Sequence, residues 1–377
     1  MKTLQLHVGF HKTATSSFQR TCAENYRVLE KQGIHYPSFS YQSKPIENHS
    51  IPLFSLFTES PEYYHVNIRR GFSNQIEEVN QTYRQQLDEA LENHEHVVLS
   101  GEDVSMLSRQ GLTKLREHIQ RAGFNIEVYC CVRKPYSFTC SALQEQIKGG
   151  TPFNPNSLKV VSRINQVRRL KAVFGNVQFA SFEDYCRHPQ GPVVSLMEHM
   201  GWDTSEISVK TSNEGLGNKS TRLYMEINKQ FPVIENRRLN PRGRSQQVCN
   251  FDSDKFLLTS EELNRVKKAL DRENEALERL LGKEFTDGVY PTSDVVTLSL
   301  AEAQSMLAKA ANPQHVRPAV MRFVCKHSDG SWQRSDLENP PTLASPVQIE
   351  TSALAAENRE KKVVNKIKSL FISLFNR

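Results

Sequence analysis

Residues 6–21, LHVGFHKTATSSFQRT, place Lys12, Thr13, Thr15, Ser16 and Ser17 between a short apolar run and a helical pattern. A helix N-terminus presents unpaired N–H groups and a partial positive charge, so a loop that feeds one suits an anion. Lys12 adds a full charge. The four hydroxyls add donors on small side chains, which let the backbone close around tetrahedral oxygens. A phosphate or a sulfate fits this set. Helix capping alone accounts for one or two such residues, not for all five. A Walker loop needs two spaced glycines before its Lys-Ser/Thr pair. Here only Gly9-Phe10-His11-Lys12-Thr13 remains, and the upstream glycine is missing, which disfavours an ordinary ATP or GTP site. The three spaced glycines of a nicotinamide-binding turn are also absent, against a Rossmann dehydrogenase.

These residues need a strand behind them and a helix ahead. Leu4, Leu6 and Val8 predict the strand; Phe18, Cys22, Tyr26 and Leu29 predict one helix that stops at Gly33. The run HVVLSGED predicts a second strand, over Val97 to Leu99, with Asp103 capping a helix that carries Val104, Leu107, Leu115, Ile119 and Ala122. NIEVYCCVRKP predicts a third strand, nearly continuous in apolar residues as a buried parallel position requires, with Pro135 in a first helical turn. A helix near 157–174 and a fourth strand in NVQFASFEDY follow, and Pro192 to Met200 predicts a helix behind it. Alternating strands and helices make a parallel sheet covered by helices, so the fold expected is an α/β three-layer αβα sandwich. Ligands of such sheets bind outside the carboxyl ends of the strands, which puts Glu102 at the same crevice as the loop.

From about residue 203 the strand signals fade. Thr259 with Glu262, and Ser299 with Glu302, have capping-box spacing, and the first of these helices closes at Gly282. Residues 327–350 have turn and linker composition with no fixed structure expected. The last segment sets Val363, Ile367, Leu370, Phe371 and Leu374 on one helical face amid Lys361, Lys362, Lys366 and Lys368. That basic amphipathic helix could lie on a membrane surface, on a partner or on its own domain. The division expected is a main domain over 1–290, an extension and flexible linker over 291–350, and the basic helix over 351–377.

The 377 residues, 38% hydrophobic and 24% charged, have globular composition, and no apolar run nears the ~20 residues of a membrane span. No secretory h-region precedes His11 and Lys12, so a cytoplasmic protein is expected. Seven cysteines without metal-like or redox spacing, several inside apolar patterns, predict neither disulfides nor a structural metal. A net charge of +6 suits a polyanionic ligand but is too sparse to argue for nucleic acid.

HVGFHKTATSSFQ resembles the 5'-phosphosulfate loop of the sulfotransferase family, with Ala14 where glycine is usual. CVRKPYSFTCSALQEQ resembles the family's 3'-phosphate element, Arg133 closing a strand and Ser141 eight residues on. The likeness spans roughly residues 3–200, in the manner of bacterial carbohydrate-type members. It implies a P-loop-like fold and transfer of a sulfuryl group from 3'-phosphoadenosine 5'-phosphosulfate, without a metal, to a glycan or glycolipid hydroxyl. It implies that His11, Lys12, Thr13, Ala14, Thr15, Ser16 and Ser17 hold the 5' end, that Arg133 and Ser141 hold the 3'-phosphate, and that Lys12 meets charge on the leaving oxygen. His49, in ENHS, resembles a histidine of carbohydrate-acting relatives and stands first as general base, Glu102 second. His11 and His35 rank below these two as bases, since His11 could instead line the loop and His35 is expected to pack beside Tyr36 and Pro37, while Tyr36, Phe39, Tyr41, Tyr63 and Tyr64 could stack on sugars or pack the core. Two alternatives stay open: a P-loop-like kinase with Asp103 as magnesium ligand, and a binding module without turnover. The C-terminal helix could hold the protein peripherally at the inner membrane face.

Overall fold

The computed structural model describes residues 1–211, 215–235, 238–244, 250–310 and 314–338. The expected helix over 351–377 and the linker beyond 338 lie outside these. The chain forms two compact units, each drawn from separated stretches: one from residues 1–138, 160–214 and 269–288, the other from 139–159, 215–268 and the described residues beyond 288. The last stretch of the first unit ends at Gly288.

The first unit is built on a parallel sheet. Its strands are β1 (Thr3–His7), β4 (His96–Ser100), β5 (Asn125–Val132) and β6 (Val177–Ser181), in the order β4-β1-β5-β6; a hairpin of β2 (Phe39–Tyr41) and β3 (Lys44–Ile46) stands apart. Leu6 pairs in register with Leu99 on one side and Val128 on the other. Alternation along each strand sends side chains to opposite faces. Leu4, Leu6, Val97, Leu99, Val128, Cys130 and Val132 share one core with Tyr83, Leu87, Leu115, Ile119, Val167 and Leu170 from flanking helices. Val98, Tyr129 and Cys131 face a second core, completed by Phe18, Cys22, Leu29, Val193 and Met197. Two helical layers over a four-stranded parallel sheet make the expected αβα sandwich.

Two local expectations need correction. The first helix is two: Thr15–Glu24 and Tyr26–Lys31 are broken at Asn25, whose side chain donates to the carbonyls of Thr21 and Ser208 and leaves Tyr26 exposed. Asp103 does not cap a helix from Val104. It lies in a 3-10 turn over Glu102–Met106, and the helix begins at Arg109, where Ser108 accepts from the Gly111 amide.

The second unit is largely helical in its described part, with helices over Asn218–Gln230, Leu300–Lys309 and Arg317–Lys326. Ser299 and Glu302 form the full capping box, and Glu262 exchanges the same bonds with Thr259. Part of the expected linker is ordered: Trp332 is buried and donates to the carbonyl of Leu298, and Arg334–Glu338 is a short helix. The indole is joined by the Asp329 amide, which also donates to the Leu298 carbonyl, and by buried Leu337.

Candidate active site

Because β1, β4 and β5 run parallel, the segments that leave them emerge at one edge. The chain passes from β1 to β4 on one side and from β5 to β6 on the other. The strand order thus reverses between β1 and β5, where a crevice for ligands opens in sheets of this kind.

The segment leaving β1 is held in a specific shape. Lys12 and Ala14 both adopt left-handed backbone angles, φ 69° and 59°. Such angles are costly for residues other than glycine, and they cluster where a structure needs an unusual backbone path. The Thr13 hydroxyl donates to the carbonyl of Phe10 at 2.5 Å and lies 3.4 Å from the Thr15 hydroxyl. Gly9 is needed for closeness. A Cβ there would sit 2.6 Å from Thr15 Oγ1, 2.8 Å from His7 Nε2 and 3.0 Å from Thr13 Oγ1. Among the described residues the amides of Ala14, Thr15 and Ser16 have no backbone acceptor, as the first turn of a helix requires. Thr13, Thr15 and Ser17 are buried, Lys12 and Ala14 half-buried and Ser16 exposed.

Arg133, at the end of β5, reaches this loop: its Nη1 donates to the Lys12 carbonyl at 2.9 Å and its Nε to Ser137 Oγ at 2.9 Å. Its guanidinium also lies over the Phe182 ring, 5.1 Å from the centroid. Two segments separated by more than a hundred residues are therefore joined at the switch point. Ser141 lies further along the same helix, Pro135–Lys148, is half-buried and belongs to the second unit.

The expected bases divide. His49 is fully buried; its Nε2–H donates to the carbonyl of Pro37 at 2.8 Å, and its Nδ1 accepts from the Ser100 amide at 3.2 Å. Burial holds its pKa down to about 3, the Pro37 bond opposing. Both ring nitrogens of His49 are thus engaged by backbone groups, and the ring is stacked on Tyr36, 4.1 Å between centroids. Glu102 is half-buried, and its oxygens accept from the Gln19 and Asn48 amides, each at 3.3 Å. Burial, then the neighbouring charge of Asp103, push its pKa up. His35 is stacked on His94, 3.5 Å between centroids. Of the aromatics considered for stacking on a ligand, Tyr36, Phe39, Tyr41 and Tyr64 are core residues and Tyr63 alone is exposed.

Two features had no motif to announce them. Asp103 Oδ1 lies 3.2 Å from His11 Nε2, and its Oδ2 accepts from the Tyr64 hydroxyl at 2.5 Å. Burial works against the Asp103 charge, but His11 outweighs it and holds the carboxyl down to about 2. The second is Arg163, buried between the rings of Phe10 and Phe138, with its guanidinium 5.7 and 4.2 Å from their centroids. Burial lowers its pKa to about 10, Glu273 opposing. Its Nη1 reaches Gln166 at 3.3 Å, while its Nε is buried with no hydrogen-bond partner. A buried guanidinium short of partners is costly unless an anion completes it. No local pattern marks an arginine in VSRINQ, since its ring partners come from the loop after β1 and the helix after β5.

Among the described residues no cluster of three or more His, Cys, Asp or Glu could hold a metal ion, and no helix is long and apolar enough to cross a membrane. No protein-family model and no curated protein matches the sequence. A solved sulfotransferase from Alicyclobacillus acidocaldarius is similar with a TM-score of 0.38 over 74% of this chain and 96% of that one, at 15% identity.

Proposed function

We propose that this chain is a sulfotransferase, moving a sulfuryl group from 3'-phosphoadenosine 5'-phosphosulfate to a hydroxyl of a glycan or glycolipid. The observation that carries the reading is the join at the switch point: a left-handed, hydroxyl-rich turn leads into a helix N-terminus, and the guanidinium closing β5 bonds its backbone. The cradle closed by Gly9 and the unpaired amides of the first turn suit the 5'-phosphosulfate end. Arg133 is the charge beside it for the 3'-phosphate, and Arg163 supplies a further guanidinium next to Phe10.

In this reading the residues act by positioning and by electrostatics. Sulfuryl transfer parallels phosphoryl transfer, with in-line attack and charge building on the bridging oxygen. Lys12 and the loop amides stabilise that charge, while the loop's fixed backbone removes the cost of organising them during the reaction. The kinase alternative asks Asp103 to ligate magnesium, yet both its oxygens are engaged by His11 and Tyr64.

The test is transfer of radiolabelled sulfate from the donor onto a panel of glycans and glycolipids with a chelator present. Magnesium-independent labelling supports the reading. Tight binding of adenosine 3',5'-bisphosphate with no transfer to any acceptor or to water would replace it with a binding module, and failure to bind the nucleotide would end it.

A further inference from the structure

We infer that His11 takes the proton from the acceptor hydroxyl, with Asp103 and Tyr64 as the positioning residues that orient it and bear the charge it gains; this rests on the sulfuryl-transfer reading. The acceptor must be deprotonated as it attacks, and the base must stand within reach of the reacting atoms. His49 is sealed by two backbone bonds, and Glu102 is held by two amide donors. His11 differs from both. It is the residue next to Lys12 in the loop, and its side chain is 41% exposed.

The geometry is that of an oriented histidine. Asp103 Oδ1 faces Nε2 at 3.2 Å, which fixes the tautomer with Nε2 protonated and leaves the Nδ1 lone pair without a partner among the described residues. Asp103 is itself fixed, by Tyr64 through Oδ2 and by its own amide, which donates to Ser50 Oγ at 3.1 Å. A buried carboxylate that orients one imidazole nitrogen while the other meets the nucleophile is the logic of hydrolase triads, and it transfers to any hydroxyl nucleophile. The surrounding charges can be named. Asp103 and Glu102, from the turn after β4, favour the imidazolium; Arg163 opposes it, and His65, beside Tyr64, lies close enough to feel the His11 charge. Burial also opposes, but the carboxylates prevail and the His11 pKa is raised.

The step balances without redox change. As the acceptor oxygen bonds to sulfur, its proton passes to His11 Nδ1. The bond from sulfur to the phosphate oxygen breaks, and that oxygen keeps the electron pair as adenosine 3',5'-bisphosphate leaves. The imidazolium, paired with Asp103, then gives its proton to water.

Two measurements test this on the full chain. By NMR without nucleotide, His11 should titrate above the ordinary histidine value, and Asp103→Asn should lower its pKa. In turnover, measured with the best glycan of the panel or with water as acceptor, His11→Ala should lower kcat a hundredfold or more. That loss is on the scale of a lost general base. The limb of the pH–rate profile that rises with pH should vanish, and added imidazole should restore part of the rate. Glu102→Gln should keep that limb. Retained kcat in His11→Ala, or a rising limb that persists in it, overturns the role of His11 alone. If His11→Ala does not fold, loss of the His11 titration shift in Tyr64→Phe and Asp103→Asn with no change in either pH–rate profile overturns it equally. Failure of the unaltered chain to bind the nucleotide overturns the sulfotransferase reading and the role of His11 with it.

Discussion

Arg133 Nη1 donates to the carbonyl of Lys12 at 2.9 Å, tying the end of β5 to the turn after β1. The same guanidinium holds Ser137 through Nε, so its fork is used in two directions at once. A lysine has no fork and cannot make both bonds in this geometry. Arg133→Lys should therefore weaken binding of adenosine 3',5'-bisphosphate about tenfold to a hundredfold, the scale of one charge-assisted hydrogen bond, while the fold persists. Calorimetric titration of the nucleotide reads this, and an unchanged Kd would show that Arg133 only braces the loop.

Two positions five residues apart in the same loop, Gly9 and Ala14, should respond with opposite signs. In Gly9→Ala the new methyl would meet Thr15 Oγ1 at 2.6 Å and His7 Nε2 at 2.8 Å, forcing apart a closed loop. Overpacking of this kind costs about 1–3 kcal/mol. Ala14→Gly instead removes the left-handed strain at φ 59°, with an expected gain of about 1 kcal/mol. Urea unfolding of both variants checks the pair. If both destabilise, the turn is not strained at Ala14 in solution.

What could be read beforehand follows range along the chain. Strands β1, β4 and β5 were legible because most of their residues are buried on both faces and need no distant partner to identify them. The loop at 9–17 was legible because its donors are consecutive. The surroundings of His49 were not legible, because a histidine in a polar stretch gives no sign that the Pro37 carbonyl and the Ser100 amide will close on it. Tyr64, Asp103 and His11 come from three separate segments, so their bonds exist only in the fold. Asn25 breaks a helix whose apolar period runs through it, because its bonds to the segment near Ser208 outweigh continued helix.

Arg163 should separate stability from binding. Its Nε is buried and unpaired, and replacing such a group by an apolar one of similar length is often neutral or stabilising. Arg163→Met should leave urea stability equal or higher, yet weaken nucleotide binding about tenfold or more. A variant that is less stable to urea yet binds the nucleotide with unchanged affinity would assign the guanidinium to the core alone.

Acid should unfold the protein through its buried neutral histidines. Burial holds His7 and His49 each at about 3 in the folded chain, against the ordinary 6.5 of the unfolded one. Between those values the unfolded state binds more protons, so stability is complete above pH 6.5 and is lost as pH falls toward 3. The loss is roughly 2 kcal/mol per histidine between pH 6.5 and 5. His35, held at about 4, acts in the same direction. His11 acts in the opposite one: its raised pKa contributes stability below 6.5 that fades as pH climbs through the folded value. Asp103, at about 2, enters only below its ordinary 3.8. Urea unfolding at pH 7.5 and 5.0 should show a large drop in midpoint, and His49→Gln, less stable at pH 7.5 for want of its two backbone bonds, should show a smaller drop. Equal drops in the two proteins would mean that His49 is not held neutral, and the brace at Pro37 and Ser100 would have to be redrawn.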